Sequence, residues 1–437
     1  MALRAAGLRA AVRRGCAGGL WSRPAAGTAR VFATGSSLNE AEVQNTQGGP
    51  TAILMMNLGG PGSQDEVYPF LRRLFADREI IELPVPAKVQ LDYFGPWVAK
   101  RRTPSIQEQY NEMPFGGGSP IKYYTEEQGK AMVKHLDEIS PATAPHKFYI
   151  GFRYAAPMTE DSLAEMKKDG VTRAIAFTQY PQFSCATTGS SLNELWRQII
   201  AGRYENDFEW SVIDRWPTHP GLVKSFADCI QEGLQGFEPE DRDDVVILFS
   251  AHSLPMKFID RGDPYPQEVG ATVGRVMEEL GLCNSYRLVW QSKVGPSQWL
   301  GMQTDDALKG LARIQRKNVL IVPIAFTSDH VETLYEIDIE YKEEAEELGL
   351  HMQRAPSLNL KPEFTRTMAE IVASHLRSEA PYPLPTTKQY PLRCPGCTNQ
   401  ACADSKEFFA MQTPLPSPPL AVAGSRKQGQ RKISGSA

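Results

Sequence analysis

Short, almost unbroken apolar runs alternate with longer amphipathic stretches from about residue 51 onward. Strands that are buried on both faces have such near-continuous runs, whereas the intervening stretches have the length and spacing of helices. The pattern therefore predicts an α/β protein in which helices cover parallel strands on both sides. Eight runs form two sets of four, at 51–59, 147–157, 173–184 and 208–216, and then at 243–254, 285–295, 317–329 and 349–359.

The two sets of strands resemble each other, because AIAFTQYPQFS in the first and PIAFTSDHVET in the second share an apolar core. We predict two Rossmann-like domains, residues 42–235 and 236–390, each built on a four-stranded parallel sheet flanked by helices. Ligands bind beyond the carboxyl ends of the strands in open parallel sheets. The repeat therefore predicts a deep cleft between two facing domains.

The two ends of the chain differ in composition from the part between them. The first 38 residues contain six arginines and no acidic residue, and the first acid is Glu40. An arginine-rich, acid-free, amphipathic leader is typical of a mitochondrial transit peptide, which we predict over residues 1–41. Residues 412–437 are rich in Pro, Ser, Gly and Lys, a composition typical of a disordered tail.

Charge and cysteine content exclude several classes of protein. The net charge is −4 and becomes −10 without the six leader arginines, so nucleic acid is not expected as the main partner. No apolar run approaches the roughly 18 residues that cross a bilayer. Seven cysteines in 437 residues, in a compartment that keeps thiols reduced, argue against a disulfide framework.

Residues 82–102, ELPVPAKVQLDYFGPWVAKRR, form an unusual segment of the first domain. Pro84, Pro86 and Pro96 argue against a regular core helix. Large apolar side chains followed by cations suit a lip, residues 82–120, that rests on a membrane surface or grips an apolar ligand. Ordinary packing of the segment against the protein is the alternative.

Two glycine-rich stretches could let the backbone approach a ligand closely. In NLGGPG, Pro61 disrupts the spacing of a dinucleotide-binding loop and no phosphate-binding lysine follows, so this stretch is a weak candidate. GGGSP contains Ser119, with Arg102 and Tyr110 shortly upstream. Such donors beside bare backbone suit carboxylates, although a plain turn is the alternative.

Titratable residues follow two predicted strands of the second domain. AHSLP places His252 at a strand end, where an imidazole with an ordinary pKa of about 6.5 can exchange protons. Asp329 and His330 come directly after another strand. Because the carboxyl ends of parallel strands lie on the same edge of a sheet, we expect these side chains near one another.

A row of glutamates follows His330 in SDHVETLYEIDIEY. Glu332, Glu336 and Glu340 recur at i, i+4 and i+8, which puts three carboxylates on one face of a helix. A solvated acidic face is the common interpretation of such a row. The apolar residues between the glutamates suggest burial, however, where the row could pass protons or hard cations along it.

A cluster of thiols lies near the C-terminus. CPGCTNQAC places Cys394, Cys397 and Cys402 within nine residues, and Cys185, at a predicted strand end in QFSCATTG, is the best fourth candidate. Four thiolates fit either a structural zinc ion or a [2Fe-2S] cluster. The spacing alone slightly favours zinc.

The motifs AHSLP, FTSDHVETLYEIDIEY, IDRWPTH, KRRTP with GGGSP, and FTQYPQFSCATTGSS together resemble ferrochelatase of the animal mitochondrial type. The resemblance covers nearly all of residues 51–411. It implies the chelatase fold, two Rossmann-like domains followed by an iron-sulfur segment at 391–411. It also implies that the protein inserts Fe(II), as substrate, into protoporphyrin IX to form haem. The implied assembly is a homodimer, peripheral on the matrix side of the inner mitochondrial membrane.

The resemblance also implies roles for individual residues. His252 accepts pyrrole protons with support from Glu332, and the whole implied catalytic set is His252, Glu332, His330, Asp329, His219 and Glu370. The implied porphyrin contacts are Arg102, Tyr110, Ser119, Arg153 and Tyr154. The implied proton or metal path is Glu336 and Glu340. The implied ligands of a [2Fe-2S] cluster are Cys185, Cys394, Cys397 and Cys402, which decides against zinc.

One position departs from the family pattern, since Leu58 stands where animal members generally have methionine. The glutamate row, or Arg153 and Tyr154, therefore becomes the favoured route for incoming iron. Two other classes of protein are open alternatives. They are an iron-sulfur oxidoreductase, for which we find no dinucleotide or flavin fingerprint, and a tetrapyrrole carrier without turnover.

Overall fold

A computed structural model of the chain describes residues 49–82, 85–295, 297–377 and 386–412. The predicted transit peptide, residues 1–41, lies outside these residues, as does the predicted tail after Gln412. Each of the eight predicted runs contains a strand. The strands are β1 (Thr51–Asn57), β2 (His146–Phe152), β3 (Arg173–Thr178), β4 (Glu209–Ile213), β5 (Val246–His252), β6 (Tyr286–Gln291), β7 (Asn318–Pro323) and β8 (His351–Arg354).

The strands form two parallel sheets with the same topology, which confirms the predicted α/β class and the predicted repeat. The strand orders are β2-β1-β3-β4 and β6-β5-β7-β8, so β1 and β5 are the equivalent central strands. Asn57 at the end of β1 lies opposite Phe152, and His252 at the end of β5 lies opposite Gln291. The shared letters IAF do not align in the structure, because residues 175–177 lie within β3 whereas residues 324–326 follow the end of β7.

Helices cover both faces of each sheet. They are α1 (Val67–Ala76), α2 (Ala87–Val89), α3 (Gly95–Glu112), α4 (Ile121–Ile139), α5 (Thr159–Lys168), α6 (Ser190–Gly202), α7 (Pro220–Leu234), α8 (Met256–Asp260), α9 (Tyr265–Glu279), α10 (Thr304–Arg313), α11 (Val331–Leu334), α12 (Lys342–Glu347), α13 (Pro362–Arg377) and α14 (Gln400–Ala410). Turns of π-helix occupy Gln90–Phe94, Cys185–Gly189 and Glu336–Tyr341.

The two halves of the chain share one hydrophobic core. It joins the inner faces of both sheets, for example Ile53 of β1 and Ile247 of β5, through Met132 of α4 and Phe364 of α13. A second cluster covers the outer face of the first sheet and includes Phe409 of the C-terminal helix α14. The halves are therefore joined by buried apolar surface, which fixes the position of one carboxyl edge relative to the other.

The segment predicted to be an irregular lip is helical from Ala87 to Glu112. This is not a regular core helix, as the prolines indicated, because its Gln90–Phe94 turn is π-helical and Leu91, Tyr93 and Trp97 are exposed. Pro86 precedes the first turn, and Pro96 occupies the first turn of α3, where a missing N–H costs little. Pro84 lies outside the described residues.

Candidate active site

A histidine and a glutamate form the centre of the carboxyl edge of the second sheet. Nδ1 of His252, the last residue of β5, lies 2.9 Å from Oε2 of Glu332 in α11. Their side chains are 37% and 24% exposed, so both remain partly accessible. Burial lowers the pKa of His252, but the Glu332 carboxylate raises it more, so that the pKa lies above its usual value. The pKa of Glu332 is held far below its usual value despite burial, because His252 and His330 favour its charged form.

His330 flanks this pair without contacting His252. Its Nδ1 donates to the backbone oxygen of Ser328 at 3.0 Å, and its Nε2 lies 3.9 Å from Oε2 of Glu332. The ring also packs edge-on against Phe326, with centroids 4.5 Å apart. His330 therefore helps His252 to stabilise the charge on Glu332, since both imidazoles lie near Oε2.

Asp329 is enclosed by hydrogen-bond donors. Its carboxylate accepts bonds from Arg354 at 3.0 Å, Ser357 at 2.6 Å, Asn359 at 2.7 Å and Thr333 at 3.0 Å. Burial would raise the pKa of Asp329, but these donors together hold it below its usual value. With 7% exposure, the side chain presents little surface to a substrate.

Three tyrosines from different elements surround Glu332. Burial raises the pKa of Tyr110, Tyr180 and Tyr265, and in each case the charge of Glu332 adds to the effect. Tyr180 donates to Oδ1 of Asn57 at 2.7 Å and accepts from the backbone N–H of Leu58 at 2.8 Å. The sequence pointed to Tyr110 but not to Tyr180 or Tyr265, because an isolated tyrosine after a strand or at the start of a helix carries no spacing signal.

The GGGSP loop packs directly on the loop that follows β1. The backbone N–H of Ser119 donates to the oxygen of Pro61 at 2.7 Å. Gly117 has φ 83°, which requires glycine, and a Cβ on Gly60 would lie 2.6 Å from Oγ of Ser119. The glycines therefore let the two loops meet at the cleft wall. Arg102 is exposed on α3, in the same half of the molecule.

The predicted glutamate row does not lie on one regular α-helix, so the i, i+4, i+8 prediction is wrong in its geometry. Helix α11 ends at Leu334, and Glu336–Tyr341 form a π-helix. The wider turn directs Glu336 toward the end of β6, where it accepts from the backbone N–H of Ser292 at 2.7 Å. Nε2 of Gln291 and the hydroxyl of Tyr341 also donate to it, at 3.0 and 2.9 Å.

A cavity of about 580 Å³ adjoins the last two glutamates of the row. Its charged lining residues are Lys293, Asp305, Asp306, Glu336, Glu340 and Glu344. The pKa of Glu340 is raised by burial and by repulsion from Glu336 and Glu112. Carboxylates thus extend from His252 toward this acidic cavity.

Arg153 and Tyr154, predicted to contact the porphyrin, belong to a closed ion-pair network after β2. Arg153 is 6% exposed and donates to Asp77, to Glu194 at 2.7 Å and to Ser190 at 3.1 Å. The hydroxyl of Tyr154 donates to the same Asp77 carboxylate at 2.6 Å. The network leaves these side chains little freedom to bind a ligand.

His219 and Glu370 lie near each other, apart from the His252–Glu332 pair. His219 directly precedes α7, and Glu370 lies within α13. Nδ1 of His219 accepts from the backbone N–H of Gly221 at 3.2 Å and thereby caps α7, which continues with Pro220. Burial lowers the pKa of His219, and the charge of Glu370 on α13 opposes that effect.

The four predicted cysteine ligands gather around one turn of the second half. In that turn, the carboxylate of Asp263 accepts from the backbone N–H of Cys185 at 2.8 Å. The backbone oxygen of Arg261 accepts from the backbone N–H of Gly396 at 2.9 Å. Burial raises the pKa of Cys185, with Asp263, Cys394 and Cys397 adding to it. Burial likewise raises the pKa of Cys402 to about 11, with Cys397 and Cys394 contributing.

Ionised Cys394 or Cys397 would thus raise the pKa values of both Cys185 and Cys402, which places the four thiols in one region of the molecule. Among the described residues, no three His, Cys, Asp or Glu side chains converge closely enough to enclose one metal ion. Helix α14, which carries Cys402, packs on the first half, where Phe409 contacts Trp210 with ring centroids 6.1 Å apart.

The lip helix exposes several large apolar side chains. Tyr93 is 72% exposed, and Leu91 and Trp97 are each 56% exposed. The guanidinium of Arg101 lies 5.8 Å from the Trp97 ring, so a cation accompanies the apolar surface. No helix in the described part of the chain is long and apolar enough to span a bilayer.

The cleft combines a strengthened base with carboxylates and a buried tyrosine wall. A ligand that must lose protons while it gains a divalent cation is served by this combination, and that exchange is the work of a metal chelatase. The comparisons with known proteins agree. A family model described as Ferrochelatase matches residues 50–376.

The chain is 58% identical over 364 residues to the mitochondrial ferrochelatase of Xenopus laevis, covering 83% of this chain and 86% of that protein. It is 53% identical over 422 residues to that of Homo sapiens, covering 94% and 97%. The Schizosaccharomyces pombe protein is 49% identical over 362 residues, with 83% of each chain covered. The chain belongs to the ferrochelatase family. Its reaction is iron insertion into protoporphyrin in haem synthesis, as the resemblance implied, and the names of its relatives indicate a mitochondrial enzyme.

Proposed function

We propose that His252 accepts the protons that leave the pyrrole nitrogens when ferrous iron enters protoporphyrin IX. The observation that carries this role is the 2.9 Å contact between Nδ1 of His252 and Oε2 of Glu332. A carboxylate beside Nδ1 holds the proton there, so that Nε2 presents a lone pair. The same carboxylate raises the pKa of His252 against burial, which makes the imidazole a stronger base.

Insertion exchanges the two N–H protons of the macrocycle for one Fe(II), so both protons must leave the cleft. Glu332 stays ionised, because its pKa lies far below the usual value. Glu340, whose pKa is raised by burial and like charges, can hold a proton more readily. We propose that Glu336 and Glu340 link the cleft to the acidic cavity, along which protons leave and ferrous iron is attracted.

The porphyrin is proposed to lie against the wall formed by Tyr110 and Ser119, with Arg102 available to a propionate. Asp329 and His330 then act by positioning the start of α11 and stabilising Glu332. Arg153 and Tyr154 act by holding the first half together. The support is their hydrogen bonding, which occupies the polar atoms that a ligand would need.

His219 is proposed to cap α7, with Glu370 tuning its charge, and not to take part in proton transfer. The cap is the hydrogen bond from Gly221 to Nδ1. Asparagine is a strong capping residue, so His219→Asn keeps the cap without an imidazole. Turnover of this variant within about twofold of the parent is expected, and a loss as large as that of His252→Ala would refute the proposal.

Cys185, Cys394, Cys397 and Cys402 are proposed to hold a [2Fe-2S] cluster, which supplies a cross-link and a redox-active group when bound. Such a cluster spreads its thiolates over two irons, so the four sulfurs need not converge on one point. The mutual influence of the thiols supports the fit. Bound cations would lower the thiol pKa values that burial raises.

The lip is proposed to rest on the matrix side of the inner mitochondrial membrane. Exposed Leu91, Tyr93 and Trp97 next to basic residues are the support, since such surfaces bind lipid interfaces. The homodimer stays a prediction from the resemblance, and a monomeric mass by light scattering of the purified protein would contradict it.

The experiment that tests the proposed function is metal insertion by the purified protein. Zinc, which can replace ferrous iron in the assay, changes the fluorescence of the porphyrin on insertion. We expect the parent protein to turn over and His252→Ala to bind porphyrin, measured by fluorescence titration, without inserting metal. Binding without insertion by the parent protein would instead indicate a carrier.

A further inference from the structure

Asn359, which follows β8, has a backbone conformation that side chains rarely adopt. Its φ is 41°, in the left-handed region. Asparagine tolerates this region better than most residues, because its short polar side chain can hydrogen-bond locally. Strained residues of this kind persist where neighbouring contacts determine them strongly, and they cluster at functional sites.

The side chain of Asn359 holds Asp329 by two hydrogen bonds. Its Oδ1 accepts from the backbone N–H of Asp329 at 2.8 Å, and its Nδ2 donates to Oδ2 of Asp329 at 2.7 Å. This two-point contact fixes both the backbone and the carboxylate of Asp329. An amide is required for it, since one end must accept and the other must donate.

Asp329 in turn holds the first turn of α11, which carries Glu332. The hydroxyl of Thr333 donates to Oδ1 of Asp329 at 3.0 Å and accepts from the backbone N–H of His330, also at 3.0 Å. The position of Glu332, between His330 and Thr333, therefore depends on Asp329.

The other end of this chain of contacts lies in the first half of the molecule. Gln128 of α4 is 2% exposed, and its Nε2 donates to the backbone oxygens of Asn359 at 2.8 Å and Thr327 at 3.1 Å. Helix α4 begins two residues after Ser119, which lies on the cleft wall. Gln128 thus connects α4 to two loops of the second half. One is the loop of Thr327, which also carries Asp329, and the other is the loop of Asn359.

We propose that Gln128, Asn359 and Asp329 form a latch between the two halves that positions Glu332 against His252. Gln128 and Asn359 are positioning residues, and the inference rests on the proposed role of His252. The latch explains why a strained asparagine and a buried glutamine are placed beside the reacting pair. It also gives Asp329 a role that needs no contact with metal or porphyrin.

The pKa of His252 reports whether the latch works. The charged and titratable groups that face His252 and Glu332 are Glu336, His330, Tyr110, Tyr180 and Tyr265. A loosened latch lengthens the contact between Glu332 and His252, which lowers the pKa of the imidazole. The acid limb is the part of the plot of turnover against pH where activity rises as His252 loses its proton. We expect it to shift to lower pH by about 0.5 to 1 pH unit.

The test compares Asn359→Gly, Asn359→Ala and Gln128→Met in the full chain. Glycine removes the amide and relieves the left-handed strain, so this variant folds even where alanine does not. For each folded variant we expect the lowered acid limb in zinc insertion and kcat reduced about tenfold. The porphyrin dissociation constant should stay near that of the parent. Ring NMR of His252 measures the same pKa without turnover.

Asn284→Ala is the matched control, because Asn284 is also buried and also bridges two backbone oxygens, those of Arg242 at 2.7 Å and Val245 at 3.1 Å. It lies at the opposite edge of the second sheet, so it should lower stability without moving the acid limb. An unchanged pKa of His252 in folded Asn359→Gly would overturn the latch. Failure of the parent protein to insert metal would overturn the proposed function instead.

Discussion

The carboxyl edges of the two sheets have equivalent backbones and opposite electrostatics. Asn57 and His252 end the central strands, and Arg153 and Ser292 follow the neighbouring strands. In the first half, Arg153 is buried among carboxylates that it neutralises. In the second half, Glu332 is paired with a histidine, whose charge depends on pH.

The difference shows how one architecture supports two tasks. Arginine keeps its charge at any physiological pH, so the first edge is permanently paired and acts as a rigid wall. On the second edge, Glu336 is held by neutral donors and Glu340 faces like charges. We therefore expect proton exchange at the second edge, where Glu332 is paired with an imidazole that titrates near physiological pH.

The sharpest test of the comparison replaces each of the two residues that end the central strands, His252 and Asn57, by alanine. We expect His252→Ala to reduce metal insertion by roughly 10²- to 10⁴-fold, the usual range for loss of a positioned base. Asn57→Ala removes an acceptor of Tyr180 and should cost about 1 kcal/mol of stability with a far smaller kinetic effect. Steady-state zinc insertion compares them, and similar losses in the two variants would break the comparison.

Removal of the buried guanidinium of Arg153 should lower the stability of the first half and not the chemistry of the second. Arg153→Leu leaves Asp77 and Glu194 without their partner, so we expect the free energy of unfolding to fall by about 3–5 kcal/mol. Lys224→Leu, at an exposed ion pair with Asp228, is the control and should change stability by about 1 kcal/mol or less. Urea denaturation measures both. Equal stability of the two variants would contradict a structural role for Arg153.

Substitution of a predicted cluster ligand tests whether the stability of the protein also depends on a cofactor. We expect Cys394→Ser to abolish the visible absorbance of the cluster and lower stability by roughly 2–5 kcal/mol, as for loss of a cross-link. Cys229→Ser is the control, since Cys229 is a fully buried thiol of α7 that lies apart from the predicted ligands. A stable, colourless Cys394→Ser protein with full activity would refute the structural role of the site.

Within the second half, the comparison predicts that proximity to His252 determines the effect of each carboxylate. Glu332→Gln should slow insertion roughly 10- to 100-fold, the usual range for loss of a supporting carboxylate. Because Glu332 raises the pKa of His252, its removal should also move the acid limb of activity to lower pH. Glu340→Gln should have a smaller effect on both. The pH profiles of kcat measure them, and identical profiles would remove the distinction.

The lip belongs to the first half, and its predicted effect on activity is the smallest. Trp97→Ser should weaken binding to anionic vesicles by about tenfold, from the loss of one buried aromatic side chain. Soluble zinc insertion should change little. Ile314→Ser, at an apolar position of the second half that is even more exposed (68% against 56% for Trp97), is the control for vesicle sedimentation. Equal binding of both variants would argue against the lip as the membrane contact.

Much of the fold was predictable because its signals are local. Continuous apolar runs located every strand of both sheets. His252 became a candidate from its place at a strand end, and Glu332 from the spacing of the glutamate row. The prolines of the lip argued against a regular core helix but could not reveal the exposed helix that lies there, because Pro96 falls in a first turn after a π-helical segment. The glutamate row was assigned to a regular α-helix because periodicity alone does not distinguish an α-helix from a π-helix.

By itself, the sequence determined the α/β class and the repeat of four parallel strands, and it predicted the histidine and cysteines that are proposed to carry chemistry. Those features depend on side-chain patterns over a few neighbouring residues. The tertiary structure alone decided which polar groups neutralise each other, because such partners are distant in the chain. His252 and Glu332 are 80 residues apart, and Gln128 and Asn359 are 231 apart. Only folding brings these groups within hydrogen-bond distance, and so only folding creates the ion-paired edge of the first sheet and the proposed reactive edge of the second.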